Sequence, residues 1–346
     1  MRYRLLRQIP TNRGRSVYLA ETPSGDRVLV KRAHTEAWAA DLRDQARHFM
    51  VMGELLGERS IYPAVLEHSD DSLVLPFYEH GSLDELSRGP SRCIVRVLTR
   101  DALSHVFMIA GFRPPADSPL PQVARDYLAH AARARLGRLD RAVSGPEGCD
   151  WSRTSAAGQP PRIHEIEESV AWIRDEAFLA RSCELGPTRL VPAAHGDFGL
   201  NNVMLAEKPA AGARLVFIDT RGIWCDGYPW WDPIMDLATV IAFHCRIEPA
   251  LARAGELPGD MADAAARLRE ADILRLITGD AAFVAWAGSD EHWRKRLEVE
   301  IAIRLLGNIG VQLTTAPRNP GLRAAVVLGL YVRQARRVVG LLNGHG

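Results

Sequence analysis

The stretch HGDFGLNNVML, residues 195–205, sets a carboxylate, Asp197, in a turn between apolar segments and follows it with an amide, Asn202. A second stretch, VFIDTRG, ends an apolar run on another carboxylate, Asp219. A carboxylate at such an edge can face a cleft and accept a proton from a hydroxyl, which is work suited to Asp197. Asn202 offers a carbonyl oxygen and Asp219 a carboxylate. Hard oxygen donors of this kind suit Mg²⁺, which takes one or two protein carboxylates and completes its shell with water and phosphate oxygens. A base, an amide and a metal carboxylate are the parts that phosphoryl transfer requires. Each residue alone also has a plainer reading, because Asp and Asn cap turns by bonding to nearby backbone.

Positioning these side chains falls to the elements around them. Up to residue 78 the chain reads as strands with one helix. YRLLRQI leads into the loop PTNRGRS, and VYLAET and RVLVKRA flank PSGD, a hairpin turn. TEAWAADLRDQARHFMVMGELLG has helical apolar spacing and ends at Gly57, and SLVLPFY is a further short strand. From EHGSLDEL onward the pattern turns helical. SRCIVRVLTRDALSHVFMIAGF, PQVARDYLAHAARARLGRLDRAV and IHEIEESVAWIRDEAFLARSCEL all fit amphipathic helices, with a Gly-, Pro- and Ser-rich loop at 144–162. Strand character returns only at RLVPAAHGD, NVMLA and RLVFID, and the chain from DPIMDLATVIAFHC onward reads as helical. The organisation is α+β: a small β-rich lobe, residues 1–78, then a large helical lobe, residues 79–346. Clefts between lobes are preferred ligand sites.

Composition narrows the class. The chain has 346 residues, 47% hydrophobic and 25% charged, with a net charge of +1, so no global field argues for nucleic acid or a membrane as partner. Its Cys residues, at 93, 149, 183, 225 and 245, form no CxxC pair, which is poor material for disulfides or a structural zinc site. The basic start, MRYRLLRQIPTNRGR, lacks an apolar signal core, and AAVVLGLYV is well short of the ~18 residues of a spanning helix. A soluble protein of the reducing cytoplasm is the expectation.

Together, HGDFGLNN, FIDTRG and WDPIMDLA resemble the linked motifs of the aminoglycoside phosphotransferase family, relatives of choline kinase and of the protein kinases. The resemblance implies a bilobal protein-kinase-like fold that uses ATP or GTP with Mg²⁺. Asp197 would be the catalytic base or would orient the acceptor hydroxyl, and Asn202 and Asp219 would hold Mg²⁺. Asp236 would accept backbone N–H groups of the catalytic loop, and His195 would be a structural hydrogen-bonding residue of that loop. Asp232-Pro233 independently reads as a helix cap followed by Pro at the first helical position.

The small lobe extends the resemblance. Lys31 ends the strand VLVK, where the kinase-like fold keeps its phosphate-contacting Lys; a surface Lys is the plainer alternative. RGRS resembles the nucleotide loop, in which Gly14 lets backbone approach phosphate and Ser16 can donate to it. Only one Gly is present, so this element is weak, and Arg13 and Arg15 either add charge near phosphates or are solvated. The family has a Glu on the following helix as partner for Lys31. Here Asp44 is the candidate, with Glu54 second. LVLPFYEHG resembles the adenine hinge, with a backbone carbonyl from Pro76 and an N–H from Tyr78.

The implied activity is a kinase of a small-molecule hydroxyl. An antibiotic phosphotransferase and a catalytically weak, ligand-binding pseudokinase are the alternatives. A protein kinase fits less well, because HRD, DFG and an Ala-Pro-Glu segment are missing. A neutral or anionic acceptor is expected. Residues 301–346 hold no Asp or Glu but carry Arg304, Arg318, Arg323, Arg333, Arg336 and Arg337, and Arg221 follows the metal carboxylate closely. Against this, Glu256, Asp260, Asp263, Glu270, Asp272, Asp280, Asp290 and Glu291 could build an acidic wall instead.

Overall fold

Alternating apolar residues in the first strands produce a sheet with two buried faces. The computed structural model describes residues 3–10, 15–88, 94–110, 191–192, 195–225, 227–253, 269–288 and 292–315. Arg4–Ile9 (β1), Arg15–Glu21 (β2) and Arg27–Ala33 (β3) pair in succession, antiparallel. Glu67–His68 (β4) and Ser72–Pro76 (β5) complete the sheet in the order β1-β2-β3-β5-β4. The PSGD turn closes as expected: the Thr22 N–H donates to the Asp26 carbonyl at 2.9 Å, and Gly25 takes a φ of 93°.

Register decides where Lys31 points. Val17, Lys31 and Leu73 lie side by side across β2, β3 and β5, and Tyr18, Val30 and Val74 form the next row. Pleating sends adjacent rows to opposite faces. Ala20, Val28, Val30 and Val74 make a core on one face, with Tyr3 and Tyr18 packed against it. Lys31 therefore points to the other face, where the helix lies.

That helix, Glu36–Leu56 (α1), begins at Thr35, whose hydroxyl accepts the Trp38 N–H at 3.4 Å, and ends at Gly57 with a φ of 55°. Its buried stripe is Ala39, Leu42, Gln45, Ala46, His48, Phe49 and Met52, the spacing of one helical face. Burial of Leu42, Phe49 and Met52 stabilises the packing by about 1.5–3 kcal/mol each. Asp44, Arg47, Met50 and Glu54 stay exposed.

Further along, Val203–Leu205 (β6) pairs antiparallel with Leu215–Phe217 (β7). This pair is fastened to earlier chain by Leu205 N–H to the Gly81 carbonyl at 2.9 Å and Phe217 N–H to the Ile61 carbonyl at 2.7 Å. Two strands that the sequence did not announce follow: Ile223–Cys225 and Tyr228–Trp231, an antiparallel hairpin that turns at Gly227, φ 83°. Their shortness and Pro229 hide them, since Pro inside a run argues against a strand.

Two compact units are separated. The first runs to Ile109 and takes in Pro192–Trp231; the second is drawn chiefly from Asp232 onward. In the second unit, the expected cap and helix start are present. Asp232 accepts the Ile234 N–H at 3.0 Å, with Pro233 opening the helix Pro233–Val240. A π-helical stretch, Ile241–Ile247, interrupts the expected continuous α-helix. Helices Glu248–Arg253, Glu270–Thr278, Ala281–Ala287 and Trp293–Thr315 follow. Among the described residues no helix is long and apolar enough to cross a membrane. The helices expected around 121–143 and 163–185, the loop at 144–162 and the Arg residues beyond 315 lie outside the described residues.

Candidate active site

The loop around Asp197 is held by a buried histidine. His195 is fully buried, its Nδ1 accepts the Asp197 N–H at 3.3 Å, and Nε2 lies 3.5 Å from the Asn202 carbonyl. A ring nitrogen that accepts from a backbone N–H carries no proton, so the proton sits on Nε2 and points at the carbonyl. Burial pushes the imidazole pKa down to about 4, which keeps this neutral tautomer in place. The ring packs against Phe198 and Phe217, with centroids at 5.6 and 5.2 Å. Phe217 in turn meets Tyr62, and Tyr62 meets His48 of α1, itself buried and pushed down to about 3. An aromatic wedge thus joins the loop to the helix.

Two further contacts shape the loop. Asn202 donates from Nδ2 to the Asp197 carbonyl at 2.9 Å, and its Oδ1 accepts from Asn201 Nδ2 at 2.7 Å. Gly196 sits at a φ of 77°, and a Cβ there would lie 2.2 Å from the Arg221 carbonyl oxygen. Only glycine fits that approach. The Arg221 N–H closes it by donating to the His195 carbonyl at 2.9 Å.

Backbone strain marks Asp219. Its φ of 56° makes it the only non-glycine residue with positive φ among those described. That conformation is uncommon outside glycine and concentrates where the surrounding structure enforces it, often at functional sites. Lys31 Nζ, 2% exposed as a residue, contacts Asp219 Oδ1, and Arg15 Nη2 reaches Oδ2 at 3.2 Å. Burial alone would raise the Asp219 carboxyl; the two cations overturn that and hold it well below the usual carboxylate range. Asp197 pairs instead with Arg221, Nε to Oδ2 at 3.4 Å, and this neighbour raises the guanidinium above its ordinary value.

The helix partner of Lys31 departs from expectation. Gln45 Oε1 accepts from Lys31 Nζ at 3.1 Å, whereas Asp44 and Glu54 are exposed. Neighbouring helix residues point about 100° apart, so a carboxylate one position away cannot take the same place. Ser16 also has another partner: its buried hydroxyl lies 2.7 Å from His34 Nε2. Gly14 lies outside the described residues. Pro76 closes β5 opposite Val28, and the Phe77 N–H donates to the Arg27 carbonyl at 3.3 Å. Tyr78 is half-buried, and burial pushes its phenol up to about 12. Asp236 is fully buried in the second unit, on the helix Pro233–Val240.

The structure therefore brings Lys31, Asp219, Asp197, Asn202 and His195 into one unit, together with Arg15 of the RGRS stretch and two residues the motifs did not assign, Gln45 and Asp41. A Gln at helical spacing from an Asp carries no signal distinguishable from surface chemistry in a single sequence. As a cation site, one carboxylate and one amide oxygen are hard donors that fit Mg²⁺ with phosphate and water oxygens completing its shell. Among the described residues no group of three or more His, Cys, Asp or Glu side chains could hold a metal.

No sequence-family profile matches the chain, and no curated protein matches it. Solved structures do. The chain is similar to an ethanolamine kinase of Plasmodium vivax, with a TM-score of 0.54 at 9% identity over 99% of this chain and 84% of that one. It is similar also to a choline kinase of Cryptosporidium parvum, with a TM-score of 0.58 at 12% identity over 98% and 91%. At such identities the likeness is one of fold: the chain has the α+β, protein-kinase-like fold of these enzymes.

Proposed function

We propose that this protein is a kinase that transfers the γ-phosphoryl group of ATP or GTP to a hydroxyl of a small molecule. The observation that carries the reading is the contact between Lys31 and Asp219, 188 residues apart in sequence, in the same unit as the Asp197–Asn202 loop. Nucleotide binding is assigned to residues 1–78, with the Pro76 carbonyl and Tyr78 N–H at the base edge. The catalytic loop and acceptor site are assigned to 79–346.

Lys31 binds a phosphate oxygen and fixes its direction, because Gln45 limits where the ammonium can move. Asp197 accepts the acceptor hydroxyl's proton, or orients that hydroxyl for attack, with the Arg221 guanidinium beside it. His195 holds the loop from within and moves no proton. Asn202 and Asp219 are the residues that would hold Mg²⁺; when bound, it neutralises charge developing on the phosphate oxygens. A neutral or anionic acceptor, sugar-like in the simplest case, suits the Arg221 guanidinium, whose side chain is 47% exposed. A polycationic antibiotic would meet like charge there.

Incubation of the protein with γ-labelled ATP or GTP, with and without Mg²⁺, across sugars, amino alcohols, hydroxy acids and aminoglycosides tests this directly. Mg²⁺-dependent transfer to a neutral or anionic hydroxyl compound is the expected result. Nucleotide binding without any loss of the γ-phosphate would favour the pseudokinase reading, which has Gln45 in place of a carboxylate as its support. Efficient, salt-sensitive transfer to polyamine sugars would sink the acceptor assignment.

A further inference from the structure

Five side chains, Asp219 among them, close into a ring. Lys31 Nζ donates to Gln45 Oε1 at 3.1 Å, and Gln45 Nε2 donates to Asp41 Oδ2 at 2.8 Å. Arg15 Nη1 stands 3.9 Å from the same Asp41 oxygen, and Arg15 Nη2 donates to Asp219 Oδ2 at 3.2 Å. Lys31 completes the circuit on Asp219 Oδ1. The Arg15 guanidinium also lies over the Trp38 ring, 5.3 Å from its centroid.

We propose that Arg15 is a second phosphate-binding cation of the nucleotide site, acting beside Lys31. The proposal rests on the kinase reading above and adds a ligand residue to it. Charge is the first argument. The ring holds two cations and two carboxylates, and so is neutral. Gln45 fixes the position of Lys31 without cancelling its charge, because an amide carries none. A cation that took over the Asp219 carboxylate would compete with Lys31 and Arg15 for its two oxygens. Both side chains would then turn toward the negative charge that triphosphate oxygens bring.

Geometry is the second argument. Arg15 opens β2 and stands against the very carboxylate that Lys31 contacts. Its side chain is 20% exposed, against 3% for Lys31, so it can reach a ligand that Lys31 meets only from within. Trp38 and Asp41, one helical turn apart on α1, hold the planar guanidinium in place and reduce the freedom it would lose on binding. A planar fork with several fixed donors matches two phosphate oxygens at once, which an ammonium cannot do.

Calorimetric titration of wild type, Arg15→Ala and Arg15→Lys with ATP and GTP in Mg²⁺, and with adenosine and guanosine, tests the assignment. Thermal unfolding of each protein confirms that it is folded. Arg15→Ala should weaken triphosphate binding by ~10–100-fold, the range of a charge-assisted hydrogen bond, and leave nucleoside binding unchanged. Arg15→Lys should recover part of the loss. Equal weakening of nucleoside and triphosphate would mean that Arg15 only braces β2 against α1, and would overturn the proposal. Unchanged triphosphate affinity in Arg15→Ala would overturn it too, while leaving the kinase reading intact. A wild-type protein that binds no triphosphate overturns both.

Discussion

Two ion pairs in this molecule differ in what surrounds them. Asp219 meets Lys31 and Arg15 with 22% of its side chain still exposed, whereas Asp232 and Arg296 pair at 3.3 Å with no side-chain exposure at all. An ion pair sealed from solvent cannot exchange partners without a charge being left in a low-dielectric interior, a change that costs several kcal/mol. A pair open on one side can trade a protein cation for a ligand or a metal ion. The backbone agrees: Asp219 sits at a φ of 56°, while Asp232 caps a helix in an ordinary extended conformation, φ −90°. The carboxylates of the first unit are accessible to a ligand, and the sealed pair in the second unit is not.

Substitutions break or sharpen that contrast. The largest effect is expected on turnover from Asp197→Ala. Asp197 is open, 34% exposed, and its loss should lower kcat by ~10²–10⁴-fold while the unfolding temperature hardly moves. A variant that keeps more than a tenth of the rate removes Asp197 from the mechanism. Arg296→Ala should do the reverse, lowering unfolding free energy by about 3–5 kcal/mol because Asp232 loses its buried partner. Denaturant unfolding measures it, and a loss under 1 kcal/mol would dissolve the distinction between the two pairs.

Acid provides a third comparison. His195 is neutral in the fold with its pKa pushed from 6.5 to about 4, so the unfolded chain binds a proton first as pH falls. The stability it contributes is complete above about pH 6.5 and drains away down to about pH 4, on the order of 3 kcal/mol in all. His48, pushed to about 3, extends the loss lower still. Thermal unfolding across that window should show the decline, and a flat profile would mean the histidines are not sealed. The smallest effect is reserved for Asp219→Asn, which should weaken Mg²⁺-dependent nucleotide binding by ~10-fold, leaving Mg²⁺-free binding little changed. Equal affinities with and without the metal in both proteins would detach Asp219 from the cation.

Much of this was legible beforehand, and the misses have specific causes. The hairpin at PSGD, the helix from Thr35 to Gly57 and the Asp232-Pro233 helix start were readable because turn and cap residues act on their own backbone. The hairpin at Ile223–Trp231 was not, because its strands are short and rely on pairing across the turn rather than on an apolar run. Asp44 is the carboxylate the sequence offers as partner of Lys31, but it lies a single position from Gln45, the residue that faces the strand.

By itself the sequence determined the spacing that sets Asp197, Asn202 and Asp219 on one loop and one strand end, since these lie close along the chain and local backbone geometry places them. It also determined that Lys31 lies on a strand, although the strand runs two residues past it, to Ala33. Tertiary structure alone decided which face of α1 meets that strand, and so made Gln45 rather than Asp44 the neighbour of Lys31 and brought Arg15 onto Asp219. Helical periodicity marks a stripe of buried residues, but the rotation of that stripe against a sheet is fixed by packing between segments far apart in sequence. A difference of one residue, about 100° around the helix, then decides which side chain reaches the site.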